Sequence, residues 1–167
     1  NSFAGGIGTY ANPYLIENAE QLAKAVTNTA ETGKYYKITE DIYINDVSED
    51  NWAENSPNKW FDTSIVKQYF EGTVDGAGHT VYGLYNNSGS TSGLFPKAQN
   101  TTISNLRISD ADITCTDGNV GAFVGFGAGV LNFNQCGVEE DVVITATKGA
   151  SGFIGYGYPS ASINECY

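Results

Sequence analysis

The chain has 167 residues, one domain's worth with room for a buried core, and 41% of them are hydrophobic, which excludes a disordered segment. With 19 acidic residues against 8 basic ones the formal net charge is −11, a field that opposes binding to nucleic acid and to anionic lipid surfaces. No apolar run reaches the roughly 18 residues needed for a membrane-spanning helix, so no membrane insertion is predicted.

Residues 18–31 carry a helical signal. Asn18 is a good N-cap, Glu20 and Gln21 sit in the first turn, and Ala19, Leu22, Ala25, Val26 and Ala30 line one face. Gly33 is the expected stop. Tyr36–Ile44 alternates as a strand does, and residues 45–69 form a long polar loop holding Trp52, Trp60, Phe61 and Tyr69. Phe70–Leu84 reads as two strands around the turn Asp75-Gly-Ala-Gly78.

Beyond Gly93 the chain repeats. Leu106, Cys136 and Cys166 are spaced 30 apart; Phe95, Phe123 and Phe153 are spaced 28 and 30; Ile113-Thr-Cys and Ile144-Thr-Ala are 31 apart. Each repeat contains two or three short strands broken by Gly or Asn. Such a unit cannot bury its own apolar face, but stacked copies pair every backbone group and pile like side chains into columns. The expected fold class is therefore all-β: a parallel β-helix, with Leu106, Cys136 and Cys166 in one inward column and the three phenylalanines in another. The lone helix is expected to cover the first coil as an N-terminal cap, closing an edge that would otherwise pair with other chains. This divides one domain into a cap (1–34) and coils (35–167). Asn1 is not a starting Met and the last residues fall inside a repeat, so a piece of a longer protein is expected.

Phe3-Ala-Gly-Gly-Ile-Gly-Thr-Tyr-Ala-Asn-Pro-Tyr-Leu-Ile16 followed by Ala19-Glu-Gln-Leu22, and the stretch Phe70–Leu84, resemble the opening of bacterial surface β-helix modules. Gly121-Ala-Phe-Val-Gly125 with Phe133-Asn-Gln-Cys136 resembles the GLUG-type repeat. The pattern is departed from at Leu106, where Cys is common, and at Pro96, where Gly is common. The resemblance implies a right-handed β-helix with a helical cap, in secreted or cell-surface proteins of Gram-positive bacteria. Such modules are adhesive or of unknown function, so the resemblance implies no particular activity.

Residues able to do chemistry are few. His79, the only histidine, lies at a Gly-rich turn and is assigned a structural role. Cys136 and Cys166 are expected as stacked, reduced thiols, and Cys115 as small and buried. Asp110 and Glu140 are 30 apart and could meet in adjacent coils, where a carboxylate pair suits a Ca²⁺ cofactor or glycoside hydrolysis. Trp52, Trp60, Tyr156 and Tyr158 are the candidate ligand-binding residues, as aromatic platforms for sugars. The function expected is a non-catalytic extracellular module, a rigid spacer or adhesive surface with a glycan, a host or cell-surface protein, or neighbouring domains as partners. The alternative is a polysaccharide lyase or hydrolase on the same scaffold.

Overall fold

The computed structural model describes residues 2–167. The chain winds as a parallel β-solenoid. A partial coil holds β1 (Tyr14–Ile16) and α1 (Ala19–Val26), and the next holds β2 (Lys34–Ile38) and β3 (Ile42–Tyr43). About three full turns follow: β4 (Gly72–Asp75), β5 (Thr80–Tyr82) and β6 (Tyr85–Ser88); β7 (Phe95–Ser104), β8 (Arg107–Ser109), β9 (Ala111–Cys115) and β10 (Asn119–Gly121); and β11 (Val124–Asn134), β12 (Gly137–Val138), β13 (Val142–Ala146) and β14 (Gly149–Ser151). Another partial coil, β15 (Ile154–Gly157) and β16 (Ser160–Asn164), ends the stack. The largest sheet runs β1-β2-β4-β7-β11-β15, with β16 also paired to β11; a second face runs β12-β8-β5-β3 and a third β13-β9-β6. Every strand-to-strand pairing is parallel. The first full turn thus holds three strands, as expected, and the next two hold four, because short polar turns break them at each corner.

The expected Leu106–Cys136–Cys166 column forms. Arg107 pairs with Gly137 one residue on, the Gly137 N–H donates to the Leu106 carbonyl at 3.0 Å, and the Tyr167 N–H donates to the Cys136 carbonyl at 3.1 Å. The corner ahead of this column explains its sequence. Asn105, Gln135 and Glu165 all have positive φ (54°, 53° and 52°), so the chain bends sharply after each strand and throws the next residue into the core.

The phenylalanine column is different from the expected one. Phe95 lies opposite Val124, not Phe123, and its ring meets Phe70 at 4.8 Å, while Phe123 stacks on Phe153 at 5.3 Å and 8°. The cause is a drifting offset between the β7 and β11 coils. Ser92 pairs with Val120, Phe95 with Val124 and Thr101 with Leu131, offsets of 28, 29 and 30, the last step falling at the bulge between Ala128 and Leu131. The glycines of the repeat sit where backbones touch: a Cβ on Gly121 would lie 2.0 Å from the Val124 carbonyl oxygen and 2.5 Å from the Gly155 nitrogen.

Helix α1 is shorter than the expected 18–31. Asn18 caps it, accepting from the Gln21 N–H at 2.9 Å, but it ends at Val26. Thr27 folds its hydroxyl back on the Ala23 carbonyl at 2.7 Å and Asn28 turns to the Tyr36 hydroxyl at 2.8 Å, so the polar run 27–29 leaves the helix for local hydrogen bonds. Leu22, Ala25 and Val26 are buried in the common core, and α1 packs against β3 at the end of the second face. The strand expected over Tyr36–Ile44 is split into β2 and β3 by a corner.

Candidate binding face

Alternation along a strand sends every second side chain outward. On the largest sheet, the paired residues Ala98 and Gly127 are buried, which sends their neighbours Lys97 and Phe126 out, and Tyr156, next to Gly157 in the same register, goes with them. Lys97 pairs with Phe126, and Phe126 with Tyr156. One level earlier, the parallel bridge of Phe70 with Ala98 sets Tyr69 beside Lys97. The outer surface therefore carries a column Tyr69–Lys97–Phe126–Tyr156 across four levels.

Its members touch. Phe126 lies 6.1 Å from Tyr69 and 5.6 Å from Tyr156 between ring centres. The Lys97 ammonium sits over the Tyr69 ring at 4.4 Å and faces Phe126 at 5.5 Å. Tyr158 closes the far end, its ring 6.3 Å from Phe126 and its hydroxyl 3.4 Å from that of Tyr156. That hydroxyl contact, with the nearby Tyr156 charge, raises the Tyr158 phenol above its usual range. Gly157 makes the turn possible: its φ is +135°, and a Cβ there would fall 1.8 Å from the Gly127 carbonyl oxygen. Tyr156 and Tyr158 are 48% and 78% exposed. At the near end, Thr63, Lys67, Tyr69, Thr91, Lys97 and Phe126 line an open groove of about 290 Å³.

The tryptophans separate. Trp60 is 8% exposed, packs edge-on against Phe61 at 5.0 Å and donates its indole N–H to the Leu94 carbonyl at 2.8 Å. It belongs to the core and offers no platform to a ligand, which corrects the expectation for that residue. Trp52 stands on a short 3₁₀ turn, Trp52–Glu54, half-buried and edge-on to Tyr85 at 6.4 Å. It borders a separate, polar hollow of about 330 Å³ with Asn45, Asp46, Glu49 and Asn58 among its walls. Trp52 and the Tyr156–Tyr158 pair therefore do not share a site.

The acidic pair is also differently composed. Asp141, not Glu140, reaches Asp110: its carboxylate accepts the Asp110 N–H at 2.8 Å and the Ser109 hydroxyl at 3.0 Å. An extra residue in the turn after β12 causes this, because the offset grows from 30 at Gly137 to 31 at Val142. Burial first, then the Asp141 charge, raises the Asp110 carboxyl above the ordinary range. Glu140 is exposed. Among the described residues no group of three or more His, Cys, Asp or Glu side chains could hold a metal ion.

His79 faces Asp41 at 3.2 Å, and Asp41 also accepts the Thr80 N–H at 3.1 Å, so the ring braces a corner. All three cysteines are free thiols. Burial pushes the Cys136 thiol up to about 11. Phe126 and Lys97 were missed in the sequence; their signal is the alternation against buried Gly127 and Ala98, visible only once the offset of 29 is known.

No protein-family model matches the chain. It is 32% identical over 135 residues to a protein of Evansella cellulosilytica described as a Gly-rich membrane protein, a match spanning 78% of this chain and 15% of that one. It is 32% identical over 129 residues to halomucin of Haloquadratum walsbyi, spanning 75% of this chain and 1% of that one. The chain thus covers a small part of either relative. A crystal structure described as an immunoglobulin A1 protease from Bacteroides ovatus aligns over 99% of this chain and 77% of its own at 12% identity, with a TM-score of 0.36. No described helix is long and apolar enough to cross a membrane.

Proposed function

We propose that this chain is a non-catalytic extracellular module of the GLUG type, a rigid spacer whose outer sheet face binds carbohydrate. The carrying observation is the outward Tyr69–Lys97–Phe126–Tyr156 column, half-buried along its length and exposed at Tyr156. Ring faces and tyrosine hydroxyls in a row match the mixed apolar and hydroxylated surfaces of a sugar chain. Parallel ladders on both sides of β7 and β11 hold Lys97 and Phe126 at fixed spacing, so little ordering entropy opposes binding there. Extracellular placement draws support from relatives named as a membrane protein and as halomucin. In this reading the coil is right-handed, as parallel crossovers are in about 98% of cases. Helix α1 serves as its cap, since its buried face covers the β3 end of the second sheet. Adjoining domains of a longer parent, and host or cell-surface proteins, remain partners in the same proposal.

A glycan array probed with the wild-type chain, Phe126→Ala and Tyr156→Ala tests it. The wild type is expected to mark a set of glycans, and both variants to lose at least tenfold in signal while Trp52→Ala retains it. A blank wild-type array would leave only the spacer.

A second reading, a glycan-active enzyme, is favoured by one observation: the Asp110 carboxyl, raised above its ordinary range by burial and by the Asp141 carboxylate beside it. Polysaccharide turnover that Asp110→Asn abolishes would put this reading first.

A further inference from the structure

We infer that the groove at the Tyr69 end of the column selects a sugar bearing a carboxylate, so that the ligand is a sparsely acidic glycan. This rests on the carbohydrate reading above and names its ligand class.

Charge distribution carries the inference. The chain has 19 carboxylates and 8 cationic side chains, yet two of those cations, Lys67 and Lys97, meet in one groove with no carboxylate in its lining. Of the two acids that flank it in sequence, Asp62 is 6% exposed with its oxygens engaged by Ser64 and Asn86, and Glu71 accepts from the Asn100 side-chain amide at 3.0 Å. Neither lysine forms an ion pair among the described residues. The chain's net charge is −11, yet the only charged side chains lining this groove are the two lysines.

Lys97 is also held in place. Its ammonium lies between the Tyr69 and Phe126 rings and donates one hydrogen bond to the Lys67 carbonyl at 3.3 Å. An ammonium has three donors, so two are left to face the groove. A neutral sugar stacked on Phe126 would meet that charge with hydroxyls alone. A carboxylate on the same sugar would take charge-assisted hydrogen bonds, which are roughly twice as strong. A densely charged polymer is disfavoured, because charges beyond the groove would lie over the acidic remainder of the surface. One acidic sugar among neutral neighbours satisfies both conditions, and the groove's volume of about 290 Å³ suits a single sugar unit.

The test uses one glycan array read before and after its carboxylates are converted to methyl esters, with wild type, Lys97→Gln and Lys97→Arg. Wild-type signal is expected to concentrate on carboxylated glycans and to fall at least tenfold on esterification, about 1.4 kcal/mol. Lys97→Gln should show the same fall on the unesterified array, and Lys97→Arg should restore most of it. Added salt should narrow the difference. Circular dichroism establishes that each variant folds, and Lys67→Gln, at an exposed position, replaces any that does not. Glycan signal that survives both esterification and Lys97→Gln overturns the inference but leaves carbohydrate binding standing. A blank array overturns both.

Discussion

The indole N–H of Trp60 donates to the carbonyl oxygen of Leu94 at 2.8 Å, joining positions 34 residues apart in sequence. This bond pins the long loop 45–69 to the turn that enters β7. Trp60→Ala should therefore cost about 3–5 kcal/mol, as removal of a buried large aromatic does. Trp60→Phe keeps most of the packing but leaves the Leu94 carbonyl without its donor, a loss of about 1–3 kcal/mol. Trp52→Ala, at the half-buried position, should lose less than Trp60→Ala. Urea unfolding of the three variants checks the order. Equal losses for the two alanine variants would show that the loop is not anchored through Trp60.

The two stacked cysteines should react unequally. The Cys136 backbone N–H points at the Cys166 sulfur at 3.4 Å, and Cys136 is buried while Cys166 is partly open at the end of the stack. Burial keeps the Cys136 thiol protonated, since its pKa is pushed up to about 11. Iodoacetamide at about pH 8, near the ordinary thiol pKa, should label Cys166 in the folded chain and leave Cys115 and Cys136 unmodified. All three should label in denaturant. Peptide mass mapping reads the result, and matching rates at Cys136 and Cys166 would contradict the column.

Asp62 links folding to pH. Burial opposes its charge, but hydrogen bonds from Ser64, Asn86 and Ser88 prevail and hold the carboxyl below the usual range. A carboxyl depressed on folding stabilises the folded state fully above its unfolded pKa. That contribution fades as pH falls through the folded value. Urea midpoints should fall between neutral pH and about pH 3, with a shallower fall in Asp62→Asn. Parallel slopes for the two proteins would assign the acid sensitivity elsewhere.

Two glycines should separate close approach from mere flexibility. Gly121→Ala drives a Cβ into backbone atoms of the neighbouring strand segment and coil, at 2.0 and 2.5 Å, and should destabilise by about 1–3 kcal/mol or prevent folding. Gly89→Ala meets nothing nearer than the Thr116 hydroxyl at 3.7 Å and should change stability by less than about 0.5 kcal/mol. Thermal melts of the pair decide it; a tolerated Gly121→Ala would mean that the corner yields.

The repeat was readable because the inward positions share their chemistry. Leu106, Cys136 and Cys166 are all compact and apolar, and the residues before them, Asn105, Gln135 and Glu165, make the same bend. The outward column had no such signature. Tyr69, Lys97, Phe126 and Tyr156 are spaced 28, 29 and 30 residues apart and differ in type, so periodicity does not connect them. Trp52 and Trp60 look alike in a polar loop, yet one indole lies in the core and the other beside a polar hollow.

The amino-acid pattern alone determined that this chain stacks parallel coils about 30 residues long, because an apolar face recurring at that interval can be buried only against its own copies. Tertiary structure alone decided which side chains meet on the surface. A single extra residue in a turn or bulge moves the next strand's partner by one, bringing Asp141 rather than Glu140 to Asp110 and Phe126 to Lys97. Such residues are solvated and chemically ordinary, so nothing in the linear order marks them. Their effect exists only where one coil lies against the next.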